Sequence, residues 1–177
     1  MRHLSLVTAI ALAASLACSR AANVSAAPAG DAAHAELRDA NGRSVGTATL
    51  TQTPHGVLIV AQLSNVPPGT HAFHIHAVGQ CVAPFTSAGP HFNPAGRQHG
   101  IENVEGMHGG DLPNVVIPES GSAHVEIFAK DVTLTQGANA ILDSDGAALV
   151  LHASADDYKS DPAGNAGARI ACGVVTK

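Results

Sequence analysis

The sequence predicts an all-β fold, a Greek-key β-barrel or sandwich of the immunoglobulin-like kind, with one long loop and one shorter loop. Short runs of alternating polar and apolar residues recur along the chain, which is typical of half-buried strands. Turn-forming residues separate these runs, and no amphipathic helical stretch of useful length competes with them. The 177 residues are 45% hydrophobic and 13% charged, which suffices for the core of one globular domain.

Six segments carry the alternating pattern, and the first begins near His34. Turn signals such as Asn41-Gly42 and Asp145-Gly146 separate them. Two glycine-rich segments, 79–114 and 153–168, fit no strand, and a loop as long as the first is usually functional. The predicted strands cover residues 34–39, 44–52, 56–64, 71–77, 123–134 and 147–154.

Residues 1–17 have the pattern of an export signal. Arg2 and His3 precede an apolar run of secretory length that is too short to cross a bilayer. The run ends in SLAC, which resembles a bacterial lipoprotein cleavage box with Cys18 as the lipidated residue; cleavage after Ala27 is the alternative. Residues 18–33 are small and polar, like a flexible tether. We therefore predict a periplasmic protein, membrane-anchored if Cys18 is lipidated, with its folded domain over 34–177.

The three cysteines fit an oxidising compartment. If Cys18 is lipidated or cleaved away, Cys81 and Cys172 remain as a disulfide pair, and two buried free thiols are the alternative. Such a bond closes a loop of roughly 90 residues and stabilises the fold by several kcal/mol in the chain-entropy model.

Histidine is unusually frequent in this chain. Eleven histidines accompany one Tyr, four Phe and no Trp, a balance that points away from base-stacking surfaces and toward metal chemistry. The formal charge is −5; loss of residues 1–17 removes one base, Arg2, and leaves eight bases against fourteen acids, a charge of −6. Because no Lys/Arg cluster occurs, we expect no nucleic-acid partner.

A pair of histidines in one predicted strand is the first candidate metal site. His74 and His76 lie two positions apart, so both side chains project from the same face of the strand. Alone the pair is weak evidence, because two solvated histidines on a half-exposed strand give the same pattern. Imidazoles and a carboxylate close together in sequence can enclose one tetrahedral zinc. The long loop offers such a group in His91, His99, His108 and Asp111.

Five segments resemble the successive signatures of the copper-zinc superoxide dismutase family, in the family's order and at compatible spacings. The resemblance covers about residues 34–176, and the loops are similar to those of bacterial members. The segments are HAFHIHAVGQC (71–81), AGPHFNP (88–94), HGGDLPN (108–114), LVLHASADDY (149–158) and GNAGARIACGV (164–174).

This resemblance implies an enzyme that disproportionates superoxide to dioxygen and hydrogen peroxide by a copper redox cycle. One copper and one zinc per chain are the implied cofactors, with a structural zinc that shares a bridging histidine with copper. Imidazoles suit both oxidation states of copper, whereas zinc cannot cycle and holds the loop. The implied copper ligands are His74, His76, His91 and His152, and the implied zinc ligands are His91, His99, His108 and Asp111.

The resemblance also implies roles around the metals. Asp156 would accept hydrogen bonds from His74 and His99, although without the resemblance it reads as a surface carboxylate. Arg169 would attract and bind the anionic substrate beside copper; its alternative is a structural arginine at a loop end. His91 would detach from copper and take up a proton on reduction. The remaining histidines, which we expect on the surface or packed locally, are His34, His55, His71 and His124.

Two other functions use the same ligands. An exported protein that buffers copper or zinc would need the histidines but neither Arg169 nor an open copper position. A chaperone or copper-only member of the family should lack some ligands, whereas every ligand position is filled here. Bacterial members include dimers, so a homodimer stays open beside a monomer.

Overall fold

The computed structural model describes residues 31–177, which form nine β-strands and one short 3₁₀ turn at Thr86–Ala88. In this part of the chain no helix is long and apolar enough to span a membrane. The strands are β1 (Ala32–Asp39), β2 (Ser44–Thr53), β3 (Gly56–Leu63), β4 (Gly69–His71), β5 (Phe73–His76), β6 (Val115–Ile117), β7 (Ala123–Ala129), β8 (Ala148–His152) and β9 (Arg169–Val174).

Seven strands form one curled antiparallel sheet in the order β5-β8-β9-β1-β2-β3-β7, and β4 pairs separately with β6. The long connections carry the chain between distant positions in this order, as in Greek-key folds. The all-β prediction is confirmed.

Alternation places the core on one face of most strands. In β1, Ala33, Ala35 and Leu37 are buried while His34 and Glu36 are exposed, as expected for a strand with one solvated face. Strands β5 and β8 differ because every residue in them is buried. Their inner face joins the main core, and the two predicted loops cover their outer face. A buried chamber that contains the side chains of His74, His76 and His152 therefore lies between these two strands and the loops.

Several predicted strand boundaries are wrong. The segment 71–77 is broken at Ala72, whose N–H donates to the Ser154 carbonyl and whose carbonyl accepts from His152 N–H, so β4 and β5 join different sheets. The segment 123–134 ends as a strand at Ala129. Strands β6 and β9 were not predicted as strands, because β6 has three residues and β9 carries Ala, Cys and Gly in place of an alternating pattern.

The two remaining cysteines form a disulfide, as predicted. Cys81 and Cys172 lie with their Cα atoms 5.6 Å apart and are separated by 91 residues of chain. Cys172 packs with Phe85, Ala88 and Val150 in a small cluster on the outer side of β8 and β9. The disulfide therefore ties the beginning of the long loop to the sheet beside the chamber.

Candidate metal centre

Two strands and one loop supply the first cluster of histidines. His74 and His76 alternate along β5, and His152 ends the neighbouring strand β8. The long loop docks on β5 through backbone bonds from Phe92 N–H to the Ile75 carbonyl (2.9 Å) and from Ile75 N–H to the Gly110 carbonyl (3.0 Å). These bonds bring His91 opposite His76.

Gly110 permits this docking because it has no side chain. A Cβ atom there would overlap the Ile75 carbonyl oxygen and lie 3.0 Å from Phe92 N. Any other residue would push the loop away from β5, and the loop histidines with it.

Within residues 31–177, four buried nitrogens in this cluster have no hydrogen-bond partner: Nδ1 of His74 and Nε2 of His76, His91 and His152. The side chains can present these ligand atoms within 4.8 Å of one another. Buried polar atoms are normally paired, so four such orphaned nitrogens in one place fit a cation-binding site.

The opposite nitrogen of each strand histidine is held by the protein. His74 Nε2 bonds Asp156 Oδ2 at 2.8 Å and His76 Nδ1 bonds the Gly89 carbonyl at 2.9 Å. A longer contact of 3.4 Å joins His152 Nδ1 to the Gly167 carbonyl. Such bonds orient the rings and leave the other lone pair for a metal.

Burial keeps three of these rings neutral. Desolvation lowers the pKa of His76 to about 2, that of His152 to about 3 and that of His91 to about 4. Neighbouring histidines add to the lowering, because a second positive charge in the cluster is unfavourable. A neutral imidazole is the form that binds metal, so the cluster is ready for a cation at neutral pH.

The second cluster gathers around one carboxylate oxygen. Asp111 Oδ1 lies 2.8 Å from His91 Nδ1, 3.0 Å from His99 Nδ1 and 3.1 Å from His108 Nδ1, and all four side chains are buried. The other oxygen, Oδ2, accepts the N–H groups of Gly100 and His108. Three nitrogens and one oxygen that converge in this way match the donor set of a closed zinc site.

Opposing effects act on the charges of this cluster. Burial alone would raise the pKa of Asp111, but hydrogen bonds with His108, His91 and His99 outweigh it and hold the pKa well below its usual range. Burial would lower the pKa of His99, but its bonds to Asp111 and Asp156 raise it to about 9. The Asp111 carboxylate thus stays ionised, whereas His99 holds a proton at neutral pH that a bound cation would displace.

His91 belongs to both clusters. Its Nδ1 faces Asp111 and its Nε2 is one of the four orphaned nitrogens. One imidazole therefore presents a nitrogen to each of two neighbouring cation sites.

Asp156 also contacts both clusters. Its Oδ2 bonds His74 Nε2, and its Oδ1 bonds His99 Nε2 at 2.9 Å. Sequence analysis missed Asn114, whose Oδ1 accepts the Asp156 N–H at 2.8 Å and whose Nδ2 donates to the Asp156 carbonyl at 2.9 Å. The signal available was its place in the HGGDLPN segment, next to a predicted ligand.

An open cleft is lined by Arg169 together with His91 and His152 of the first cluster and His108 of the second. Arg169 donates from Nη1 to the Phe85 carbonyl and from Nη2 to the Gly89 carbonyl, both at 2.7 Å. These bonds use one N–H of each terminal nitrogen and fix a half-buried guanidinium at the cleft.

The other histidines lie apart from the clusters. His34, His55 and His124 are exposed, and His71 packs locally, with its nitrogens near the carbonyls of His152 (2.7 Å) and Pro67 (2.9 Å). The predicted lipid site, Cys18, lies outside the described residues.

Two buried clusters that share an imidazole on a Greek-key barrel define a dinuclear metalloprotein. The family model for copper/zinc superoxide dismutase (SODC) matches residues 44–175. The chain belongs to this family. It is an enzyme of the superoxide dismutase class, with copper and zinc as its cofactors and superoxide as its substrate, as the sequence predicted.

Similar proteins support membership of the same family. The chain is 50% identical over 145 residues to superoxide dismutase [Cu-Zn] 1 of Aquifex aeolicus, covering 80% of this chain and 86% of that one. It is 43% identical over 147 residues to superoxide dismutase [Cu-Zn] of Caulobacter vibrioides, covering 81% and 84%. The crystal structure of a SOD-like protein from Bacillus subtilis superposes with a TM-score of 0.77 at 39% identity, covering 80% of this chain and 96% of that one.

Proposed function

We propose that the first cluster is the copper site and the second the zinc site. The observation that carries this assignment is the set of four orphaned imidazole nitrogens, an all-nitrogen donor set that suits both oxidation states of copper, with His91 and His152 on the wall of the open cleft. The second cluster is closed by its own carboxylate, as a structural zinc requires. The proposed copper ligands are His74, His76, His91 and His152; the proposed zinc ligands are His91, His99, His108 and Asp111.

Copper supplies the one-electron chemistry by which one superoxide is oxidised to dioxygen and a second, with two protons, is reduced to hydrogen peroxide. The protein adds a proton carrier. His91 Nδ1 stays held among the residues of the second cluster, so the ring keeps its place while Nε2 takes up a proton and gives it back in each cycle.

Arg169 binds the anion in this proposal. Its charge stands at the cleft of a chain whose net charge is negative, so attraction of superoxide depends on a local positive field. Lys159 adds little to that field, because its Nζ lies 2.9 Å from Glu102 Oε2.

Pulse radiolysis of the copper- and zinc-loaded protein tests the assignment. We expect turnover near the diffusion limit in the wild type and none in His74→Ala, with the exposed His34→Ala as a matched control. Tight binding of both metals without turnover in the wild type would instead make the protein a metal buffer on a dismutase scaffold.

We also propose the route that the sequence predicts for the whole chain: export, removal of residues 1–17, and a lipid on Cys18 that anchors the domain of 34–177 in the periplasm through the tether of 18–33. Mass spectrometry of the mature N-terminus tests this. A diacylated Cys18 supports the anchor, which Cys18→Ser should release, whereas a free N-terminus at residue 28 would contradict it.

The oligomeric state stays a two-way prediction, monomer or homodimer. Sedimentation velocity of the metal-loaded protein distinguishes the two.

A further inference from the structure

Gly164 contacts the carboxylate that joins the two clusters. A Cβ atom built on it would overlap Asp156 Oδ1 and would lie 2.5 Å from Asp156 Cγ and 2.7 Å from His99 Nε2. The backbone of Gly164 therefore packs directly against the hydrogen bond between Asp156 and His99, with no room for a side chain.

The backbone around Gly164 cannot move away freely. Its N–H donates to the Ser160 carbonyl at 2.6 Å, and its carbonyl accepts the Asp157 N–H at 2.9 Å. Asp157 in turn holds the loop through the N–H groups of Lys159 and Ser160. A side chain at position 164 would have to break this loop or turn the Asp156 carboxylate.

The two oxygens of Asp156 would respond differently to that turn. Oδ1, which a new Cβ would hit, bonds His99 Nε2 and the Tyr158 N–H. Oδ2, on the far side, bonds His74 Nε2. The proposed zinc ligand would lose its partner first, and the proposed copper ligand would be less affected.

We propose that Gly164 is a positioning residue: the absence of a side chain there lets Asp156 hold His99, and through His99 sets the zinc affinity. This inference rests on the proposed assignment of the second cluster to zinc. Loss of a hydrogen-bond partner behind a metal ligand costs about 10- to 100-fold in affinity. We expect a loss of that size for zinc in Gly164→Ala and a smaller one for copper.

Gly96→Ala is the matched control. Gly96 has the same φ of +63° as Gly164, and a Cβ there would meet nothing within 4 Å. Both variants therefore carry the same left-handed backbone strain, and only one carries the contact with Asp156.

The experiment measures zinc dissociation constants by chelator competition and the visible spectrum of Co²⁺ in the zinc site, for both variants and for Gly164→Ala in an Asp156→Ala background. The Gly164→Ala loss should be about 10- to 100-fold beyond that of Gly96→Ala, with an altered Co²⁺ spectrum. It should shrink in the Asp156→Ala background, where only the 2.7 Å contact with His99 Nε2 remains.

Each outcome decides the inference. Equal zinc affinity in the two glycine variants, or the same loss in both backgrounds, would overturn it. If Gly164→Ala folds only in the Asp156→Ala background, the contact is supported; if it folds in neither, Gly164 has a general structural role and the inference fails. A wild type that binds no zinc would overturn the proposed function instead.

Discussion

The two clusters of this protein are built in opposite ways. Three of the four histidines of the first lie on β5 and β8, where sheet hydrogen bonds hold them, and their free nitrogens face one another without partners. The second cluster comes from the long loop alone, and its nitrogens already contact Asp111. One site is thus pre-formed by strands, and the other closes on its own carboxylate.

This difference in construction suits the two sites to different roles, one redox-active and one structural. Under the proposed assignment, the strand-borne rings of His74 and His76 would keep their places when copper changes charge, because Asp156 and the Gly89 carbonyl hold them from behind. The loop-borne site would gain order from zinc, because the loop has no regular strand of its own. His91 is the one residue that must satisfy both.

The largest expected effect is on turnover, and it comes from a substitution in the first cluster alone. His152→Ala removes a nitrogen that only the first cluster uses, so turnover should fall at least about 10³-fold, roughly 4 kcal/mol of barrier, while zinc binding stays near wild type. Pulse radiolysis and elemental analysis measure the two quantities, with the exposed His124→Ala as control. Loss of zinc along with copper would show that the sites are not independent.

The complementary change is Asp111→Ala. It removes the atom on which three histidines converge, about a quarter of the zinc-binding free energy, so zinc affinity should fall by roughly 10²-fold or more. Copper should still bind. Chelator competition for each metal checks this, with the exposed Asp131→Ala as control, and a parallel collapse of copper affinity would contradict it.

A smaller effect is expected at the cleft. Arg169→Ala should lower the rate about tenfold at low salt and flatten its salt dependence, because a steering charge is lost while both metal sites remain. Arg97→Ala, which removes another cation on the same cleft, should cost less, since Arg169 lies beside the proposed copper ligands. Equal rate losses in both variants would show that Arg169 acts only through the overall charge of the cleft and not through a position beside copper.

The smallest effect concerns local order. Chelation of both metals should speed amide exchange a few-fold across residues 93–113, while β5 and β8 stay protected by their ladder. Hydrogen exchange with mass spectrometry measures this. Uniform acceleration in strands and loop would remove the distinction between the two sites.

Much of the fold could be predicted because alternation is strong in β1 and β2, which have one face in the core and the other largely in solvent. Strand β9 was not predicted, because both of its faces are largely covered and its small residues show no alternation of polar and apolar side chains. The break at Ala72 was not predicted either, since a segment whose two halves join different sheets can keep the same alternating sequence pattern throughout.

The sequence by itself determined the fold class, the family and the set of residues available to two metals, because alternation, turn residues and motif spacing are local properties of a chain. Only the tertiary structure decided which nitrogen of each histidine is free and which is held, how His91 faces both clusters, and why Asn114 and Gly164 stand against Asp156. Those facts depend on contacts between residues that the fold brings together, such as Asn114 and Asp156, which are 42 positions apart, and on backbone that approaches too closely for a side chain, and neither leaves a local pattern.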